Sequence, residues 1–184
     1  MKLKTLMAAS GLAVLGLMAS APSFARSKAE IDASADAAVK HFYGMSPRNQ
    51  QLADKAVGML VFGQVTKAGV GVAGEFGEGV LRVKGQDVDY YKVSSGSVGL
   101  TLGVGEHREI ILFMTQESLD KFTKSAGWSV GADAAVAIVK TGAGGEYDTV
   151  TLAKPILGFV FGEKGLLGDL SIEGSKITKI KTQD

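Results

Sequence analysis

The sequence contains no cysteine and only two histidines, His41 and His107. Disulfides, a thiol nucleophile and a lipid anchor on cysteine are therefore excluded, and a histidine-rich metal site lacks material. Aromatic residues are scarce at 7% of the chain, too few for the girdles of a transmembrane β-barrel. Prolines number three, and no linker or low-complexity segment is present. An excess of one charge is also missing: 20 basic residues stand against 19 acidic ones, a formal net charge of +1. No global positive field draws this protein to nucleic acid or to an anionic membrane, so any such attraction must come from a local patch.

What is present begins with a targeting pattern. Lys2 and Lys4 precede an apolar run from Leu6 to Ala19, and "SAPSFA" then places small residues at Ser23 and Ala25. This is the layout of a secretory signal peptide cut ahead of Arg26. The apolar core falls short of the roughly 20 residues a permanent anchor needs. The expected product is a periplasmic or secreted chain of residues 26–184, one domain. Losing Lys2 and Lys4 takes its formal charge from +1 to −1.

Three helices are expected. In "SKAEIDASADAAVKHFYGM", Ile31, Ala35, Ala38, Val39 and Phe42 recur at helical spacing, giving an amphipathic helix over 27–44. Ser46 and Pro47 read as an N-cap and first helical residue for a second over 46–56. "TQESLDKFTKSAG" places acid early, lysine late and Gly127 beyond, for a third over 116–125.

The remainder reads as strand, rich in the chain's 25 glycines. "MLVFGQV", "GVLRV", "VDYYKV", "SVGLTLGVG", "EIILFM", "WSVGADAAVAIV", "YDTVTL", "ILGFVF", "LLGDLSI" and "KITKI" suggest about ten short strands. The expected fold class is α+β, mainly an antiparallel β-barrel with about three helices packed on its outside. Gly69, Gly71 and Gly74 fall in G-x-G-x-x-G spacing, but "EFGEGVLRV" follows, with helix-breaking Gly77 and Gly79 and strand-forming valines. A dinucleotide fingerprint must open a helix, so these are strand residues. Bare backbone in a strand marks a bend or a close approach, either by a packed helix or by a ligand.

Five blocks then carry a resemblance. "KAGVGVAGEFGEGVL" (67–81), "GSVGLTLG" (96–103), "LFMTQESLDKF" (112–122), "GWSVGADAAVAI" (127–138) and "LSIEGSKI" (170–177) are similar, in order, to the blocks of the SYLF domain family. That family includes yeast and animal endocytic proteins and many exported bacterial ones. The resemblance implies a β-barrel with outer helices, lipid binding directed at phosphoinositides and, in the yeast member, actin binding. Here the first helix carries Arg26, Lys28 and Lys40 against Glu30, Asp32 and Asp36, without the basic excess of the eukaryotic membrane-contact segment. Actin is not an expected partner in an exported protein.

Chemistry narrows the functional reading. "GVGEHREI" places His107 in a turn with no identified serine partner, and Glu75 with Glu78 reads as solvated carboxylates at a strand end. The sequence therefore points away from an enzyme, and no cofactor or metal ligand is expected. The leading expectation is an exported protein that binds anionic phospholipid or phosphoinositide-like head groups weakly. The alternative is an envelope interaction module without a lipid ligand. Lys67, Lys84, Arg108 and Lys164 are the candidate lipid contacts, all in expected turns. Each is worth about 1 kcal/mol near an anionic surface, so together they support roughly millimolar, salt-sensitive binding. Lys67 and Lys84 share one end only if the chain reverses at Gly77.

Overall fold

The structure is a computed structural model describing residues 26–139, 152–165 and 172–182, with backbone alone for 98–102 and 163–165. Within these, no helix is long and apolar enough to cross a membrane. The expected leader and strands "YDTVTL" and "LLGDLSI" lie wholly or mostly outside the described residues.

The helices form where local chemistry places them. Helix α1 (Lys28–Met45) starts with a capping box, the Ser27 side chain accepting from the Glu30 amide while Glu30 reaches back. Its stripe of Ile31, Ala35, Ala38 and Phe42 is fully buried. Helix α2 (Pro47–Lys55) is capped by Ser46, with proline at its start. Buried Asn49 donates from Nδ2 to the Phe42 carbonyl at 2.8 Å, tying α2 to the end of α1. Helix α3 (Gln116–Lys124) starts at a Thr115 cap.

The strands depart from the expectation of about ten short ones. Two dominate: β1 (Gly58–Val83) and β2 (Gln86–Phe113), 26 and 28 residues long. They pair antiparallel from Gly58↔Phe113 to Val83↔Gln86. Between them, Lys84 and Gly85 both take positive φ, at 52° and 77°, as a two-residue type I′ turn requires. The chain thus reverses at Lys84–Gly85, not at Gly77.

This hairpin folds over on itself near Gly71, where φ is 72° and the register shifts between Val70 and Val72. A Cβ on Gly77 would lie 2.9 Å from the Gln64 carbonyl oxygen, and one on Gly79 would strike the Val61 carbonyl. Two halves of one strand therefore pack against each other at nearly bare backbone. At Gly63 the close neighbour is the Ser34 backbone of α1. The close approaches behind these glycines are made by the protein itself.

Shorter strands extend each half. β5 (Ile156–Gly165) pairs with the second half of β2, and β6 (Lys176–Ile180) with its first half. β3 (Trp128–Ser129) adds to β6, and β4 (Ala137–Ile138) runs parallel to β5. The described sheet has six strands and five pairings, four antiparallel and that of β4 with β5 parallel, and it curls into a half-barrel. The fold is α+β. "WSVGADAAVAIV" contributes strand only at its ends, with a turn over 131–133 between them.

Alternation separates two cores. Facing inward are Leu60, Phe62, Leu81, Tyr91, Val93, Ile111 and Phe113, joined by Leu119 and Phe122 of α3 and by Trp128. Facing outward are Val61, Val80, Ile110 and Leu112, covered by the apolar stripe of α1 and by Leu52 of α2. Helices α1 and α2 thus lie outside, as expected. Helix α3 does not: Phe122 enters the inner core, its ring 4.8 Å from Tyr91, 4.9 Å from Phe113 and 5.3 Å from Trp128.

Candidate functional site

The folded hairpin places three features near its bend. The first is an exposed apolar tip. Val70, Val72, Phe76 and Val104 are 77%, 64%, 51% and 63% exposed. Val70 pairs with Leu102, Ala68 with Val104 and Val72 with Val98, so the valines sit on paired strands around one bend. All four fall at outward positions by the same alternation that points Lys67, Ala73 and Glu75 inward.

The second is a buried polar cluster. The inward row of β2 that ends in Ile111 and Phe113 begins with His107 and Glu109, both 2% exposed. The inward row of β1 reads Glu75, Gly77, Gly79, Leu81, and folding brings Glu75 to face them. His107 Nε2 lies 2.9 Å from a Glu109 oxygen and 3.3 Å from a Glu75 oxygen. Ser95 Oγ donates to the other Glu75 oxygen at 2.6 Å. Burial pushes the Glu109 carboxyl above its ordinary range, with Glu75 adding to the rise and the hydrogen bond from His107 opposing it. Among the described residues, Glu109 Oε2 and His107 Nδ1 have no hydrogen-bond partner. One ligand atom from each of Glu75, His107 and Glu109 lies within 4.8 Å of the others, the one such grouping of acids and histidines among the described residues.

These positions correct three expectations. His107 is buried in a strand, not in a turn. Glu75 is not a solvated carboxylate, its side chain being 8% exposed. Glu78 is 6% exposed and accepts a hydrogen bond from the Arg26 backbone nitrogen at 3.0 Å. The two glutamates point to opposite faces of β1 and do not form a pair.

The third feature is the arrangement of the expected cations. Only Lys84 occupies a turn; Lys67, Arg108 and Lys164 lie in β1, β2 and β5. Lys67 pairs with Gly105, which pairs in turn with Gly165, so Lys67 and Lys164 flank β2 at one level. Lys67 shares the inward face of Val65 and is 7% exposed. Arg108 faces outward under α1, with Nη1 2.8 Å from His41 Nδ1. Lys164 is described by its backbone alone. Lys84 sits at the far end, lining a cleft with Gly58 and Tyr43. Lys67, Lys84 and Arg108 do not converge on one surface.

Away from the bend, a cavity of about 580 Å³ opens between α3 and the segment after β3, lined by Ser118, Lys121, Trp128, Ala134, Pro155 and Ile156. It is large enough for part of an acyl chain, and Trp128 is the sole tryptophan.

Residues 94–183 match the family model described as Ysc84, Las17-binding protein actin regulator. This segment thus matches the SYLF family that the five sequence blocks resemble. The matched segment runs from the middle of β2 through β6 and contains four of the five resembling blocks, with Glu75 and the block at 67–81 preceding it. Comparison with curated proteins gives no match. The SYLF family is in general one of lipid-binding or interaction modules.

Neither the apolar tip nor the buried cluster was foreseen from the residues. The tip had a signal in Val70 and Val72 beside glycines unable to cover them. The cluster had one in the period-two row His107, Glu109, Ile111, Phe113.

Proposed function

We propose that this SYLF protein is an exported, peripheral lipid-binding protein that meets anionic membranes weakly through the bend of its long hairpin. The exposed tip of Val70, Val72, Phe76 and Val104 carries this reading. Fully burying such a side chain contributes about 1.5–3 kcal/mol, against about 1 kcal/mol for a cation near an anionic surface. Even partial insertion of four apolar side chains therefore matches or outweighs the few cations that can face a membrane together. A preference for anionic lipid would come from Arg108 and Lys164, close to the bend. Lys67 is too buried to reach a head group without rearrangement, and Lys84 is too far away. Phosphoinositide-like head groups belong to the same chemistry. The Ysc84 family description also names an actin regulator, but the proposed periplasmic or secreted location leaves actin out of reach.

Export has one structural correlate. A chain cut ahead of Arg26 would place its new ammonium at the nitrogen that already donates to buried Glu78, turning a neutral donor into a charged one. N-terminal mass analysis of the protein from an envelope extract checks the cut.

Vesicle co-sedimentation tests the lipid reading. A variant carrying Val70→Ser, Val72→Ser, Phe76→Ser and Val104→Ser should bind anionic vesicles at least tenfold more weakly and keep its Tm, while Lys84→Gln changes little. Binding by wild type should persist in part at 1 M salt, where the screening length is about 3 Å. Unchanged binding by the four-serine variant would refute the tip. A change in Trp128 fluorescence with lipid would move the contact to the α3 cavity. No vesicle binding at all would favour the interaction-module alternative.

A further inference from the structure

The cluster of Glu75, His107 and Glu109 has a geometry that packing alone does not require. Inward positions further along the same strands hold Leu81, Ile111 and Phe113, and apolar side chains would continue that core at lower cost. Burying a carboxylate oxygen without a partner costs free energy, as does a buried imidazole nitrogen. Glu109 Oε2 and His107 Nδ1 are such atoms, each on a residue 2% exposed.

We propose that Glu75, His107 and Glu109 form a binding site for one first-row divalent cation, of which Zn²⁺ is the representative. The three donors already converge: Nε2 stands 2.9 Å from Glu109 and 3.3 Å from Glu75. Ligands about 2.0–2.2 Å from a tetrahedral zinc stand roughly 3.3–3.6 Å from one another. The two distances from Nε2 fall within a few tenths of an ångström of that range, and all three donor atoms lie within 4.8 Å of one another. The cation takes the place of the proton in the hydrogen bond between His107 Nε2 and Glu109. A bidentate Glu109 uses Oε2, the oxygen left without a partner.

Ligand type narrows the metal. One imidazole with two carboxylates suits zinc and its first-row neighbours, whereas Mg²⁺ and Ca²⁺ favour all-oxygen shells. Ser95, donating to the second oxygen of Glu75 at 2.6 Å, holds that carboxylate in orientation as outer-shell partners do. With Glu109 bound through one oxygen the three residues leave one coordination position for water; with Glu109 bidentate they fill all four. The inference stands apart from lipid binding, since the cluster faces inward and the tip faces solvent.

The test uses tag-free protein stripped with a chelator and titrated with Zn²⁺ or Co²⁺. Calorimetry should give one Zn²⁺ per chain, Tm should rise with Zn²⁺ concentration, and Co²⁺ should give visible absorption of a low-coordinate site. His107→Gln and Glu109→Gln should each weaken binding beyond the roughly 10–100-fold that losing an outer-shell partner costs. His41→Gln should leave it unchanged. Should the cluster variants unfold, nitrogen-detected imidazole spectra of wild type decide: Zn²⁺ must shift His107 Nε2 and spare His41. No binding at millimolar Zn²⁺, or a response confined to His41, overturns the proposal.

Discussion

The two ends of the folded hairpin are built from the same strands and filled by opposite chemistry. Toward Gly58 and Phe113 the inner space is closed by rings, with Phe122 of α3 against Tyr91, Phe113 and Trp128. Toward the bend the same inward rows carry Glu75, His107 and Glu109, and valines that would be core elsewhere stand in solvent. The difference shows a division of labour: one end holds the fold together, which frees the other to keep buried charge and exposed apolar surface that stability alone would remove.

The sharpest way to break that comparison is at the ring end. Phe122→Ala deletes a side chain that is 1% exposed and touches three other rings. It should cost about 3–5 kcal/mol, read as a drop in denaturation midpoint. A cost below about 1 kcal/mol would mean that α3 is not part of the stabilising core. A smaller loss is expected midway, where the two halves of β1 touch. Gly79→Ala puts a methyl group against the Val61 carbonyl and the Phe62 ring, and should cost about 1–3 kcal/mol in the same measurement. Gly74→Ala, with no neighbouring atom within 4 Å of the added carbon, is its control.

The smallest effect concerns one polar atom at the apolar end. Tyr91 is 3% exposed, its hydroxyl has no partner among the described residues, and burial pushes its pKa up to about 12. A phenol whose pKa rises on folding stabilises fully below its unfolded value near 10. That contribution is lost as pH climbs through about 12. Tyr91→Phe should therefore lie within about 1 kcal/mol of wild type at pH 7. Between pH 10 and 12 it should lose less stability than wild type. Tyr90, also raised to about 12 by burial and its hydrogen bond to Asp32, remains to give the residual slope. Thermal melts across that range provide the comparison.

Much of the architecture was legible because it depends on neighbours in sequence. The capping residues Ser27, Ser46 and Thr115 and the stripe from Ile31 to Phe42 place the three helices within a residue or two of the expected bounds. The strand character of 69–83 followed from valines and from helix-breaking glycine. Strand lengths were not legible. Glycine serves equally as a turn residue and as a strand residue under close packing, so a reversal at Gly77 stayed open beside one continuous strand. The chemistry of a real turn lay in Lys84–Gly85, where both residues take positive φ.

The candidate site was less legible, for a related reason. In "HREIILF" both alternating rows end in apolar residues, Ile110 and Leu112 on one face and Ile111 and Phe113 on the other. Periodicity thus says that the strand is covered on both sides without saying whether His107 or Arg108 faces inward. Sequence alone determined the composition limits, the helices, the strand character and the SYLF resemblance, because each rests on local propensity or ordered blocks. Only the tertiary structure decided that β1 bends onto itself. That bend brings Glu75 to His107 across 32 positions of sequence and sends Lys67 and Arg108 to opposite faces. It also leaves Val70, Val72 and Val104 in solvent. Side-chain direction in a doubly covered strand is set by what packs on each face, and that is a property of the fold.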